Sequence, residues 1–217
     1  MKKTIIRAFI IAFLALAAIL IGYSLYNNDD QTADLEKAGL AHTDGTLKKT
    51  GSNALYENAY FGLALRLPSS YEVYSEERIE NEITGSSKAS FLDKMAGYYD
   101  LFAAEGNQSY YSFVVYRASE GLGRMTLEEI EKEVQPQIDE AAGMYEDAGI
   151  APEISTGAFI LGQGQYLKVD LASPEEESAS CQRMIFFPGD KALGILTMIG
   201  PDQQALDRME DNLSEID

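Results

Sequence analysis

Carboxylates are the most abundant side chains in this chain that could do chemistry. The 217 residues include 35 aspartates and glutamates, so some pairs must lie close together by chance, and no pair can be assigned to acid–base catalysis. Asp170 and the run 175–177 form an acidic loop. Calcium needs about six to eight oxygens that converge from a turned loop, and this spacing does not provide them. We therefore predict no metal site, with weak binding of divalent cations as an alternative role for the acidic residues.

Histidine and cysteine are too rare to support the commonest catalytic and metal sites. His42 is the only histidine and Cys181 is the only cysteine, so neither a histidine-based triad nor a zinc site is predicted in the folded domain. Cys181 lies close to the apolar run 184–187 and is predicted to be a small buried or half-buried residue. Gly162 and Gly164 lead into a strand, whereas a phosphate-binding loop leads into a helix. The sequence thus predicts no catalytic residue and no cofactor.

Tyrosines cluster on two neighbouring predicted strands, 98–104 and 110–118. Alternation along the second strand places Tyr111 on one face and Tyr110 and Tyr116 on the other. Both faces carry apolar bulk, as expected of a central strand that is covered on both sides. A tyrosine offers a large contact area with a polar tip, which suits a binding surface, but it is equally common in strands that simply pack. The candidates for a binding face are Tyr98, Tyr110, Tyr111 and Tyr116.

Short stretches with a period of two predict the strands that position these residues. Leu63, Leu65 and Leu67 alternate with other residues, and the pattern stops at Pro68, which predicts a half-buried strand. Loops rich in glycine, proline and polar residues predict hairpins, and hairpins imply an antiparallel sheet. The predicted hairpin loops are 105–108, 162–164 and 188–190.

Two amphipathic helices are predicted in addition to the strands. Thr126, followed three residues later by Glu129, forms a capping-box pattern, and apolar residues then recur at helical spacing. A final helix is predicted from a single apolar stripe. That stripe consists of Leu206, Met209, Leu213 and Ile216. Because such stripes must be buried against the sheet, the predicted fold class is α+β, an antiparallel β-sheet sandwiched by amphipathic helices.

The first 26 residues predict a membrane anchor that precedes this domain. Ala8–Tyr26 contains no charged residue, and as a helix it would span roughly 28 Å, close to the hydrocarbon thickness of a bilayer. Lys2, Lys3 and Arg7 precede it, so the positive-inside rule places the C-terminal domain outside the cytoplasm. A cleaved signal peptide is the alternative, because residues 15–17 fit a cleavage pattern of small residues. We predict a signal-anchor transmembrane helix in 1–26, a polar tether in 27–52 and the folded domain in 53–217.

The segment that begins at Tyr56, YENAYFGLALRLPSSYEVYSEE, resembles the opening of PsbP-like domains. The matching residues are Tyr56, Asn58, Tyr60–Gly62, Pro68 and Tyr71. PsbP-like domains look like the Mog-type nuclear import factor, so the resemblance implies an antiparallel sheet between helices over roughly residues 54–217. It also implies an uncharacterised bacterial type that sits behind an N-terminal signal or anchor.

The charge and the layout together set the functional hypotheses. The formal net charge of −18 repels nucleic acid and anionic lipid headgroups, so nucleic acid is excluded as a partner. The leading hypothesis is a membrane-anchored, extracytoplasmic binding or assembly module for a protein or envelope partner. One alternative is a hydrolase that cleaves an envelope polymer with two carboxylates. Another is an acidic module that responds to cations.

Overall fold

The computed structural model of the protein describes residues 43–84, 97–106, 108–118, 121–147, 151–172 and 181–216. The predicted transmembrane helix in 1–26 lies outside the described residues, as does most of the predicted tether. Across the described ranges, no helix combines the length and the apolar character needed to cross a bilayer. Residues 46–50, which belong to the predicted tether, form a strand. The folded part therefore begins before the predicted boundary at residue 53.

The described residues form eleven strands and three α-helices. The strands are β1 (Thr46–Thr50), β2 (Asn53–Asn58), β3 (Leu63–Leu67), β4 (Glu72–Val73), β5 (Gly97–Glu105), β6 (Ser109–Arg117), β7 (Glu153–Leu161), β8 (Gly164–Ala172), β9 (Cys181–Pro188), β10 (Ala192–Gly200) and β11 (Leu213–Glu215). The helices are α1 (Glu76–Arg78), which continues into a π-helical turn (Ile79–Thr84), α2 (Leu127–Asp147) and α3 (Gln203–Glu210), and a 3-10 turn (Leu122–Arg124) precedes α2.

All strand pairs are antiparallel and belong to two sheets. The small sheet has the order β1-β2-β3-β11, and the large sheet has the order β4-β5-β6-β10-β9-β8-β7. The three predicted hairpins are confirmed: β5 pairs with β6, β7 with β8, and β9 with β10. Gly106 and Gly162 adopt φ values of 59° and 57° in the first two loops, a conformation that glycine reaches without steric cost.

Local sequence explains where the two longer helices begin. The backbone N–H of Thr126 donates to the Glu129 carboxylate over 2.8 Å, and the N–H of Glu129 donates to the Thr126 hydroxyl over 3.3 Å. This reciprocal arrangement is the predicted capping box. Asp202 caps α3, because its carboxylate accepts a hydrogen bond from the N–H of Ala205 over 2.7 Å.

The two faces of the large sheet are covered by different layers. On one face, which we call the small-sheet face, the small sheet and α3 bury a cluster that includes Leu63, Leu65, Leu67, Phe113, Phe187 and Leu206. On the opposite face, the α2 face, α2 buries Ile130, Val134 and Ile138 against residues of β8 and β9. Tyr111 and Phe113 of β6 face the small sheet, whereas Val114 and Tyr116 face α2. The prediction that β6 is a central strand covered on both faces is confirmed.

The predicted α+β sandwich of one sheet between helices is wrong, because the fold is mostly β-sheet and contains two antiparallel sheets. One covering layer is the small sheet, built when β2 and β11 pair with β3 on its two sides. The predicted final helix ends at Glu210, and Leu213 pairs with Leu65 instead of continuing the helical stripe. Asp211 and Asn212 form the turn between them. The spacing of Leu213 matches a helix only by coincidence, and β11 packs this side chain partly against the core.

The small sheet should contribute a large part of the stability, since Leu65 in β3 is fully buried. We expect Leu65→Ala to lower the free energy of unfolding by about 2–5 kcal/mol, because it removes buried methyl groups and leaves a cavity. Urea unfolding followed by circular dichroism measures this cost. Arg66→Ala is the control, because Arg66 is the exposed neighbour in the same strand and its loss should cost less than about 0.5 kcal/mol. Equal costs for both variants would contradict the two-sheet core.

Candidate functional site

The four tyrosines proposed as a binding face do not lie on one surface. Tyr98 and Tyr111 pack on the small-sheet face, whereas Tyr110 and Tyr116 pack on the opposite face of the large sheet. The Tyr111 hydroxyl is buried and donates to the carbonyl of Met209 over 3.0 Å. The Tyr116 hydroxyl is buried and has no hydrogen-bond partner among the described residues. Most of the tyrosine surplus therefore packs inside the domain.

Asp100 is the polar side chain that sequence analysis missed. The pairing of β5 with β6 shifts between Tyr99 and Leu101, so Asp100 is the extra residue of a β-bulge. Tyr98 and Leu101 both pack on the small-sheet face, which strict alternation would not allow. The bulge turns the Asp100 carboxylate toward β2. An aspartate inside an apolar strand is unfavourable, and this was the one signal in the sequence that could have revealed the site.

One oxygen of Asp100 accepts hydrogen bonds from three directions. Oδ2 accepts from the backbone N–H of Gly45 over 2.8 Å, from Asn58 Nδ2 over 2.9 Å and from the Tyr56 hydroxyl. Asn58 Nδ2 also donates to the carbonyl of Thr43 over 2.7 Å. A Cβ atom on Gly45 would collide with the Tyr56 ring, so the chain can pass this close only as glycine. Together these bonds fix residues 43–45 against the large sheet.

Burial raises the pKa of Asp100, and the charge of Asp44 adds to this increase. The hydrogen bonds from Tyr56, Asn58 and Gly45 act in the opposite direction but do not outweigh burial. The hydrolase hypothesis requires two convergent carboxylates, and Asp44 lies close enough to Asp100 to influence its pKa. However, the bonded oxygen of Asp100 already has three donors. We therefore interpret this cluster as a structural clasp, meaning a set of hydrogen bonds that holds the residues before β1 against the large sheet.

A buried charge, Arg183, attaches α3 to the large sheet. Arg183 is 2% exposed and binds Asp170 of β8 with two bonds, from Nε over 2.7 Å and from Nη2 over 3.0 Å. Its Nη1 donates to Glu210 over 2.6 Å and to Asp207 over 3.1 Å. Burial alone would lower the pKa of Arg183, but the bonds to Asp170 and the nearby acidic charges raise it above the ordinary value. In this network, the positive charge of Arg183 compensates the negative charge of Asp170, one member of the predicted acidic loop.

The described residues contain no group of three histidine, cysteine or acidic side chains that could hold a metal ion. Residues 175–177, the other acidic residues of the predicted loop, lie outside the described ranges. Cys181 is buried, as predicted. Burial raises the pKa of its thiol, which lowers the thiolate fraction and makes it a weak nucleophile.

β7 is the longest edge strand in the described part of the chain, and β11 approaches it at the end near Gly162. Leu161 and Gly164 pair across the two-residue loop 162–163, so they form a hydrogen-bonded pair. The alternation of antiparallel pairing then directs the backbone N–H and C=O groups of every second residue of β7 away from β8. These residues are Ile154, Thr156, Ala158 and Ile160. The Ile160 side chain is also 56% exposed.

Comparisons with known proteins add little to this geometry. No protein-family model matches the chain, and no curated protein matches it. Among solved structures, a protein from Bacteroides thetaiotaomicron VPI-5482 is similar over 71% of this chain and 45% of that chain, with 8% identity and a TM-score of 0.41. The chain thus spans less than half of that protein. A likeness of this size does not establish a shared fold, and the resemblance to PsbP-like domains stays a prediction.

Removing the Asp100 carboxylate should destabilise the domain and release its first strand. We expect Asp100→Ala to cost about 1–3 kcal/mol, because donors from Gly45, Tyr56 and Asn58 lose their shared acceptor. Urea unfolding gives the cost, and faster hydrogen exchange at residues 46–50 reports the release. Glu105→Ala is the control, since Glu105 is an exposed carboxylate in the same strand. A variant as stable as this control would show that Asp100 is not a clasp.

Removing Arg183 should detach α3. We expect Arg183→Met to cost about 2–4 kcal/mol, a value below that of a fully buried pair because Asp170 and Glu210 are 19% and 26% exposed. Thermal unfolding measures the loss. Arg208→Met, at an exposed position of the same helix, should change stability by less than about 0.5 kcal/mol. If both variants unfold at the same temperature, the ion-pair network does not hold the helix.

Proposed function

We propose that this chain is a membrane-anchored, extracytoplasmic binding or assembly module that adds an extended polypeptide strand to the outer edge of β7. The observation that carries the proposal is the length and neutrality of this edge. It is nine residues long, and Glu153 is its only charged residue. Strand addition gives affinity through main-chain hydrogen bonds and specificity through the alternate side chains.

The contrast with the other sheet edges supports this choice. Natural proteins protect an edge by keeping it short or by placing charges on it, because an open edge recruits other strands. In the described residues, β1 carries Lys48 and Lys49, β4 has two residues, and β11 has three residues and ends in Glu215. β7 has neither lysine nor proline. Among the edges of the described sheets, β7 is therefore the one that a partner strand can use.

The membrane location is supported by the sequence of the first 26 residues. The uncharged run Ala8–Tyr26 and the basic residues before it favour an uncleaved anchor with the domain outside the cytoplasm. A tether after the anchor would let the domain reach a protein or envelope partner near the membrane. No nucleic acid is expected at a surface with this acidic charge.

A photoreactive amino acid at position 160 tests strand addition in membranes that contain the full chain. Ile160 is exposed beside the β7 edge, so we expect it to give a discrete adduct. Ala158→Pro should reduce the adduct at least about fivefold, because proline removes an outward N–H worth about 1 kcal/mol and its ring blocks close approach. Ala158→Ser keeps the N–H and is the matched control. An adduct that is absent, or that is equally strong in both variants, would contradict binding at this edge.

A further inference from the structure

We propose that the strand added to β7 is β7 of a second copy of this chain, paired antiparallel about a two-fold axis at Gly157. The inference rests on the proposed function and names the partner for the same edge. The two large sheets would then form one continuous sheet, and the contact would be the same surface on both copies, as closed dimers require.

The register of β7 makes the edge complementary to itself. With the axis at Gly157, Ile154 lies opposite the partner's Ile160, and Thr156 lies opposite the partner's Ala158. All four of these residues direct their backbone groups outward, so every facing pair can exchange two hydrogen bonds. The outward donors and acceptors of both copies are then satisfied together. A register shifted by one residue would place outward groups opposite inward ones.

The side chains agree with this register. Ile160, which is 56% exposed, would contact the partner's Ile154 on the same face of the joined sheet. Ile154 already packs partly against the cluster under α2, so the contact extends an existing apolar layer. Burying an exposed isoleucine is favourable by roughly 1.5–3 kcal/mol when burial is complete.

Gly157 has no evident purpose within one copy. A Cβ atom built on it meets nothing within 4 Å, and its φ is not in the left-handed region. Glycine in a strand interior weakens the strand and often marks the close approach of another backbone. At the two-fold axis, Gly157 faces the partner's Gly157 in a non-hydrogen-bonded pair, where Cα atoms approach to about 4.5 Å. The second copy thus explains a glycine that the single chain does not require.

Charge also selects this edge for self-association. Two copies of a chain with net charge −18 repel each other, but β7 is uncharged from Ile154 to Leu161. The two Glu153 residues would lie about 27 Å apart, well beyond the Debye length of about 8 Å at physiological salt. Two further acidic groups face the strand: Glu131, which accepts a hydrogen bond from Thr156, and Glu215, which lies beside Gly162. Association should therefore strengthen as salt screens the remaining repulsion.

Cysteine cross-linking of the full chain in detergent tests the register. We expect Gly157→Cys with diamide as oxidant to form a disulfide-linked dimer at least tenfold faster than Ser155→Cys, because only position 157 lies opposite itself. Raising the salt from 0.05 to 0.5 M should accelerate cross-linking, and adding Ala158→Pro should abolish it. The native Cys181 is buried and does not compete.

The outcomes separate this inference from the proposed function. Equal cross-linking at positions 155 and 157, or none at either, would overturn the two-fold pairing. If position 157 stays monomeric while the photoreactive residue at 160 gives an adduct with a different protein, self-pairing fails and strand addition stands. If neither position gives an adduct, both proposals fail. A dimer specific to position 157 that is lost with Ala158→Pro supports both.

Discussion

The large sheet must bury apolar side chains on both of its faces, and most of the architecture follows from this requirement. Nearly every residue of β9 and β10 is buried, on both sides of the sheet. A sheet of this kind needs two covering layers, since exposure of either face to water would lose the free energy of burial. The helix α2 provides one layer, and the small sheet with α3 provides the other. The dense packing also requires glycine at position 194, because a Cβ atom there would collide with Phe113 beneath the small sheet.

Two charged side chains, the half-buried Asp100 and the buried Arg183, connect the covering layer to the large sheet. Asp100 binds β2 and the residues before β1, whereas Arg183 binds α3. A buried charge without partners would be strongly unfavourable, and each of these has at least three polar contacts. Both lie on the small-sheet face, where apolar packing alone would leave the attached elements free to slide. Both groups hold structural elements in place, because Asp100 Oδ2 has three donors and Arg183 binds three carboxylates.

The sequence predicted the features that depend on neighbouring residues and missed those that depend on distant ones. The hairpins, the capping box at Thr126 and the buried position of Cys181 follow from local patterns and are confirmed. The pairing of Leu213 with Leu65 joins residues far apart in the chain, and no periodicity records such a contact. The bulge at Asp100 was missed because one extra residue breaks the alternation from which faces are read. The membrane anchor stays a prediction, because it rests on residues 1–26 alone.

The edge of β7 differs from the other sheet edges in its length and in its charge. High net charge keeps a protein soluble by repelling other copies, and short or charged strands block unwanted pairing at sheet edges. In the described residues, β1 carries two lysines and β4 and β11 are short, whereas β7 is long and its one charge, Glu153, lies at its end. An unprotected edge of nine residues is a risk for aggregation unless a specific partner covers it. The stretch 154–161 is uncharged and imposes little electrostatic barrier of its own, so recognition must come from backbone geometry and the few side chains that alternate along β7.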